Sequence, residues 1–550
     1  MTEEPTAVRV EIYDTTLRDG TQGQDVHFTE HDKIAIAKRL DAFGVDYIEG
    51  GWPGSNPKDA RFFEEMKGVR LNRAKLTAFG STRHKDLAPE DDGNLKALLD
   101  AETEVLAIFG KSWTFHVEHA LGATLDQNLE MIRSSVEYLR SQGRQVLYLA
   151  EHFFDGHAAD PEYALATLRA ALAGGADRIV LCDTNGGSLP DRVRAATGLV
   201  TAFSPVPVGI HAHNDGELAV ANSLAAVQAG ATHVQGTING YGERCGNANL
   251  VSIVANLALK LGRPQPQRLD ELKSLSRYVD ERANLAPNFR AAYVGDGAFA
   301  HKGGIHVSAV NKHPQTYEHI APESVGNRRR VLVSDLSGRA NVVAKLAEWG
   351  EAATGGDGEG RVFIAGNTDT RAVVAHIKEL EARGYAFEGA EASFQLLTRK
   401  LQGGFEPYFH IDGFTVMIDK TVGAPRCEAT VRLRVGDHEE HSAASGDGPV
   451  NALDRGLLKA LGAFYPALRG LTLRDYKVRV LSGPETGTAS VVRVQVEMGD
   501  GTTTWSTVGA STNIIEASYE ALLDAYEYKL VTDGVAPVLT DRDRGLAASA

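Results

Sequence analysis

Short apolar runs bounded by polar residues recur through the first 240 positions: Val8–Tyr13, Val45–Glu49, Lys75–Phe79, Val105–Phe109, Gln145–Ala150, Arg178–Cys182, Val206–His211 and Thr232–Gln235. Their length and β-branched content predict strands. Between them, Glu30–Phe43, Leu125–Gly143, Pro161–Gly174 and Leu218–Gly230 carry apolar residues at helical spacing. Glycines punctuate two helix ends, in "AFG" before Val45 and "QAG" before Ala231. Strands alternating with helices imply parallel βα units. Eight such units in this length of chain fit a closed (β/α)8 TIM barrel better than an open sheet.

From about Asp270 the rhythm stops, and 270–400 reads as mixed helix and loop. The Gly-rich stretch "GEAATGGDGEGR" (350–361) predicts a linker. Arg328, Arg329 and Arg330 read as a solvated or interdomain face rather than an anion site. Beyond Phe405 the pattern changes again. "FTVMID", "CEATVRLRV", "YKVRVL" and "SVVRVQVEM" predict strands, while "NALDRGLLKALGAFY" and "IIEASYEALLDAYEYKL" predict helices. The expected division is therefore a barrel over 1–275, a mostly helical accessory region over 276–400, an α+β domain over 401–535 that could consist of two related halves, and a tail over 536–550.

Charge narrows the partners. The chain carries 57 basic and 72 acidic residues, a formal net charge of −15, which argues against non-specific nucleic-acid binding and adhesion to anionic membranes. No run approaches the ~18 apolar residues of a membrane span. Three scattered cysteines make no disulfide framework, and the N-terminus shows no signal peptide. Together these predict a cytoplasmic protein.

In a barrel of this kind the chemistry sits at the C-terminal ends of the strands. There the sequence places Asp14 to Gly20, Glu151-His152, Asp183 to Gly186, His211 to Asp215 and Gly240 to Asn247. His211 and His213 are two apart, so a strand puts both imidazoles on one face. With Asp19 across the mouth and Asn247 able to add a carbonyl oxygen, they form a candidate site for Zn²⁺, Mn²⁺ or Mg²⁺. Arg18 is either the partner of a nearby acid or a fixed cation for a developing oxyanion. Glu151 is a general base, an orienting group, or a helix cap or salt-bridge residue. Thr184 either donates to a substrate carboxylate or caps a turn. "GYGERCG" is not a dinucleotide fingerprint.

These residues resemble the α-isopropylmalate synthase family of acyl-CoA-condensing, metal-dependent barrels. "DTTLRDGTQ" (14–22), "HAHND" (211–215) and "GYGERCGNANL" (240–250) look like its signature stretches. "FAHKGGIHVSAV" (299–310) and "GNRRRVLVSDLSGRAN" (326–341) look like its accessory region. "GDGPVNALDRGL" and "GASTNIIEASYEALLDAY" look like its C-terminal regulatory domain, and "YIEGGWPGSNPKD" (47–59) is similar to the long-form, citramalate-forming branch. The resemblance implies that Asp19, His211 and His213 bind the metal with Asn247 on or beside it. It implies that Arg18 polarises the keto group, Thr184 and Gln22 hold the 2-oxo acid, and Glu151 lies beside the reacting carbons. His306 and Tyr317 would help activate acetyl-CoA. Where many relatives have an acidic or polar HxD pattern after that histidine, this chain has His306-Val307-Ser308.

The implied activity is condensation of acetyl-CoA with pyruvate, with 2-oxoisovalerate as the alternative acid. The resemblance also implies feedback by isoleucine at the C-terminal domain, and a homodimer whose accessory regions reach the partner's barrel. A lyase or aldolase on the same barrel and a non-catalytic amino-acid sensor are the readings from other classes. The C-terminal domain argues against the first. Intact Arg18, Asp19, His211 and His213 argue against the second.

Overall fold

The computed structural model describes residues 8–333, 339–348, 355–356, 362–364, 368–401, 405–420, 423–481 and 487–538. Eight strands, β1 (Glu11–Asp14), β2 (Tyr47–Gly51), β3 (Lys75–Ser81), β4 (Val105–Lys111), β5 (Gln145–Glu151), β6 (Arg178–Asp183), β7 (Val208–Ala212) and β8 (His233–Gly236), close into a parallel barrel in sequence order. β1 pairs with both β2 and β8. A long helix lies between each strand and the next, from α1 (Glu30–Phe43) to α2 (Pro57–Met66), α3 (Gly93–Asp100), α4 (Leu125–Ser141), α5 (Pro161–Ala173), α6 (Pro190–Phe203) and α7 (Ala219–Gln228), and α8 (Leu250–Leu259) follows β8. α1 begins on a capping box between Thr29 and Asp32 and ends at Gly44, whose φ of 107° is the left-handed stop that glycine adopts without strain.

Parity along the strands decides what each side chain meets. Leu106, Ile108, Val146, Tyr148, Ile179 and Leu181 point outward and pack beneath the helices. Tyr13, Tyr47, Phe79, Val105, Ala107, Leu147, Leu149, Val180 and Cys182 form a separate inner cluster. Continuing the inner parity toward the C-terminal end leads to Thr15, Glu49, Lys111, Glu151, Thr184, His211 and His213. The barrel therefore changes from an apolar plug to a polar mouth within one strand step. All eight strands run one or two residues beyond their predicted C-terminal ends, because the backbone ladder continues past the point where the side chains turn polar.

The second compact unit comprises Ala300–Tyr317 and the chain from Arg330. Its first part is mostly helical, with helices Gly304–Lys312, Arg339–Glu348, Thr370–Ala382 and Glu391–Leu401 and a parallel two-residue pairing of Ala300–His301 with Arg330–Val331. Two antiparallel three-stranded sheets follow, His410–Asp419, Arg426–Val435 and His438–Gly446, then Thr472–Val480, Val492–Gly499 and Thr504–Ser511. Each is followed by a helix, Pro449–Leu461 and Ile514–Thr532, so the α+β domain consists of two βββα halves with a shared core. Most of the expected linker 350–361 and of the expected tail lies outside the described residues. Among the described residues no helix is long and apolar enough to cross a membrane.

Candidate active site

The loop after β1 turns back at once. Thr16 donates from its N–H and its hydroxyl to Asp14, and Ile238 N–H donates to the Thr16 hydroxyl, tying this turn to the loop after β8. The turn delivers Arg18 and Asp19 to the barrel mouth. Arg18 donates from Nε to Glu49 Oε1 at 2.6 Å, and its guanidinium carbon lies 3.7 Å from the centre of the Phe79 ring. Glu49 is fully buried and also accepts from Thr15 Oγ1 at 2.5 Å and from the Tyr13 hydroxyl. Arg18 is thus fixed from one side by a carboxylate and from another by an aromatic face. It lies 3.4 Å from Asp19 Oδ2.

Asp19 Oδ2 is 3.3 Å from His211 Nε2 and 4.0 Å from His213 Nε2, and the two imidazole nitrogens are 3.3 Å apart. All three residues are buried. Gln235 Oε1 lies 3.1 Å from His211 Nδ1 and orients the ring with Nε2 toward the centre of the group. Burial, with His211 beside it, lowers the His213 pKa to about 4, so this imidazole is neutral at physiological pH. Burial pushes the Asp19 carboxyl upward, but Arg18 and His211 outweigh it and hold the group well below the usual carboxylate range. Among the described residues, Asp19 Oδ1, His213 Nδ1 and Asn247 Oδ1 are buried without a hydrogen-bond partner. A carboxylate, two imidazoles and unsatisfied buried oxygens are a donor set suited to a divalent cation.

Asn247 reaches this group through the loop after β8. It forms a backbone bridge to His213 and donates from Nδ2 to Tyr241 O at 3.2 Å. The turn before it needs Gly246, where φ is 91° and a Cβ would meet Gly240 O at 2.0 Å. Arg244 crosses the rim, bound by Nε and Nη2 to Asp215 and by Nη2 to Thr184 O at 2.8 Å.

Glu151 ends β5 directly opposite Lys111 at the end of β4, and the two side chains form an ion pair. Thr184 Oγ1 accepts from His152 N–H at 2.9 Å, and among the described residues its own hydroxyl hydrogen finds no acceptor. Gln22 ends a single helical turn at the lip. A cavity of about 210 Å³ brings together Arg18, Asp19, Gln22, Glu151, Thr184, His211 and His213, with Trp52, Phe79, Phe109, Leu149 and Cys182 as its apolar wall. His306 and Tyr317 belong to the other compact unit, where both are exposed and stack with ring centres 4.2 Å apart. In the basic run, Arg329 makes a two-point pair with Glu318 and Arg330 pairs with Glu391.

Sequence reading missed Glu49, Lys111, Gln235, Arg244 and the aromatic wall. Glu49 and Gln235 leave a signal, a polar residue at an inward position of an otherwise apolar strand. Lys111 lies two residues past a predicted strand end, and only the β4–β5 register reveals its partner.

Residues 9–279 match the HMGL-like family, 293–357 the homocitrate synthase post-HMGL domain-like family, and 388–530 the LeuA allosteric (dimerisation) domain. The chain is 54% identical over 525 residues to an (R)-citramalate synthase of Geobacter sulfurreducens, covering 95% of this chain and 97% of that one. It is 52% identical over 533 residues to an (R)-citramalate synthase of Aquifex aeolicus, covering 96% and 99%. A probable 2-isopropylmalate synthase of Methanopyrus kandleri is more distant, at 33% over 519 residues, covering 94% and 97%.

Proposed function

The chain belongs to the (R)-citramalate synthase family, and from that premise we propose that it condenses acetyl-CoA with pyruvate and hydrolyses the thioester, releasing (R)-citramalate and CoA. This makes it an acyltransferase feeding isoleucine synthesis in the cytoplasm. The observation that carries the reading is the buried Asp19, His211 and His213 group with Arg18 clamped beside it, facing a small apolar-walled cavity.

Asp19, His211 and His213, with Asn247, are assigned to a divalent ion, Mn²⁺, Mg²⁺ or Zn²⁺. Such an ion would supply Lewis-acid polarisation of the 2-oxo acid carbonyl. Arg18 cannot swing away, because Glu49 and Phe79 hold it, so its charge stays where the keto oxygen becomes an alkoxide. Thr184 offers its hydroxyl hydrogen to the substrate carboxylate, with Gln22 at the lip. Glu151, held in line by Lys111, faces the reacting carbons. His306 and Tyr317 are assigned to activation of acetyl-CoA.

A proton leaves the acetyl methyl group for a protein base, the methyl carbon bonds to the keto carbon of pyruvate as the carbonyl π pair moves onto the keto oxygen, and that oxygen takes up a proton to become the hydroxyl of citramalate. Water then cleaves the carbon–sulfur bond, and the thiol departs as CoA. Hydrolysis makes the sequence effectively irreversible.

The LeuA allosteric (dimerisation) domain supports a homodimer; isoleucine, the end product of the proposed route, is assigned as its effector. The test is release of CoA thiol from acetyl-CoA across a panel of 2-oxo acids, with Mn²⁺ or Mg²⁺, a chelator control and added isoleucine. Preference for pyruvate, abolished by chelator, supports the reading. Preference for 2-oxoisovalerate moves the enzyme to leucine synthesis with the same chemistry. No release with any acid overturns it.

A further inference from the structure

The polar groups of the cavity suit the carboxylate and keto group that every 2-oxo acid shares. Discrimination between such acids falls to the wall that meets the remaining side chain. One side of that wall, beside Leu149 and Cys182, is made by three aromatic rings at the ends of neighbouring strands. The Trp52 indole, just past the end of β2, lies 5.6 Å from the ring of Phe79 on β3 and 5.6 Å from that of Phe109 on β4, at 84° to both. Phe79 and Phe109 stack 5.4 Å apart at 20°. Each edge of the triangle is a favourable aromatic contact, so displacing one ring disturbs the other two. Phe79 also carries the Arg18 guanidinium, which couples the wall to the cation.

Trp52 is pinned at both ends. Its indole Nε1 donates to Asn94 Oδ1 at 2.7 Å, and Asn94 Nδ2 donates to Ser81 O at 2.8 Å. Its backbone N–H donates to Asp59 Oδ2 at 2.9 Å. Asp59 is itself held by the buried Lys33 at 2.5 Å, which also donates to Gly50 O. Glycine at position 80 leaves room for the Asn94 amide, because a Cβ there would lie 3.0 Å from its Oδ1. On this side the cavity is lined by the rings of Trp52, Phe79 and Phe109, which cannot shorten to make room for a larger ligand.

We propose that Trp52, positioned by Asn94, sets the upper size limit of the 2-oxo acid side chain, admitting a methyl group and rejecting a branched one. Trp52 is the specificity-determining residue and Asn94 a positioning residue. The inference rests on the assignment of a 2-oxo acid to this cavity.

The test compares wild type, W52A, W52F, N94A and N94D by kcat/KM for pyruvate, 2-oxobutanoate and 2-oxoisovalerate, each with Mn²⁺. One extra methylene in an apolar pocket is worth about 10–200-fold. W52A is expected to raise the ratio of 2-oxoisovalerate to pyruvate by at least about tenfold, with W52F between it and wild type. N94A should shift the ratio in the same direction by less, chiefly through KM, and alter the indole fluorescence. N94D keeps an acceptor for the indole but loses the donor to Ser81 O, so its ratio should lie between those of N94A and wild type. A folded W52A or W52F enzyme that releases thiol from pyruvate with an unchanged ratio overturns the size limit alone. Wild type that releases thiol with none of the acids overturns the functional reading on which it stands.

Discussion

At the scale of single residues, the site is a set of fixed charges whose neighbours deny them other conformations. Arg18 illustrates this. Its Nε is bound to Glu49, and Glu49 in turn is saturated by Thr15 and Tyr13. Arg18→Ala is expected to lower kcat by roughly 10²–10³, the usual cost of deleting one oxyanion-stabilising group, with metal content unchanged. Glu49→Gln keeps the cation but loosens it, and should lower kcat by less; steady-state thiol release separates the two. The ligand set gives a second expectation. His213→Ala should weaken Mn²⁺ binding by more than the roughly 10–100-fold typical of losing an outer partner such as Gln235, as read by metal content after dialysis. Wild-type metal content in that variant refutes the assignment. Asp19, His211 and His213 were legible because they lie in short polar motifs just past apolar strands. Glu49 and Lys111 were not, since each acquires meaning from a partner that only the folded register supplies.

At the scale of elements, period-two and helical patterns gave the barrel, and the inward parity of each strand led straight to the site. Two strands of the C-terminal domain escaped. His438–Gly446 is an outer strand with a largely polar, exposed pattern, so it shows no apolar alternation. Thr504–Ser511 carries Gly509, where a Cβ would meet Ala517 O at 2.1 Å; close approach of the helix forces a small residue that reads as a turn. The opposite end of the barrel carries its own electrostatic tie. Glu11 on β1 makes a two-point pair with Arg178 on β6 and faces His233 on β8. Burial raises its pKa, but His233 and Arg178 outweigh this and lower it from 4.5 to about 2. The folded state thus binds its proton less readily than the unfolded chain. The stabilisation is complete above pH 4.5 and is lost as pH falls through about 2. Glu11→Gln should cost about 1–3 kcal/mol near pH 7, seen as a lower thermal midpoint. The difference from wild type should shrink steadily between pH 4.5 and 2. A constant gap over that range would mean that packing, not charge, holds this end together.

At the scale of the whole molecule, the question is what a second copy adds. Met417, Ile418 and Val480, on the outer strands of the two C-terminal sheets, are 57%, 58% and 60% exposed. Exposed apolar residues on outer strands are a liability unless something covers them. A match to a dimerisation domain fits a second copy in that role. The barrel holds Arg18 and the Asp19, His211 and His213 group, while His306 and Tyr317 stand exposed in the other compact unit. If His306 serves the site of the partner chain, two inactive variants must rescue one another. Arg18→Ala spoils the site in its own barrel, and His306→Ala spoils the one it serves. In a mixed dimer one site then receives both intact groups and the other neither. Random exchange makes half the dimers mixed, so thiol release should recover to about a quarter of wild type. Each variant alone should stay near background, and the gain should appear only after the subunits have exchanged. Absence of recovery in a mixture shown to contain mixed dimers would place His306 with its own barrel, and each chain would then carry a complete site.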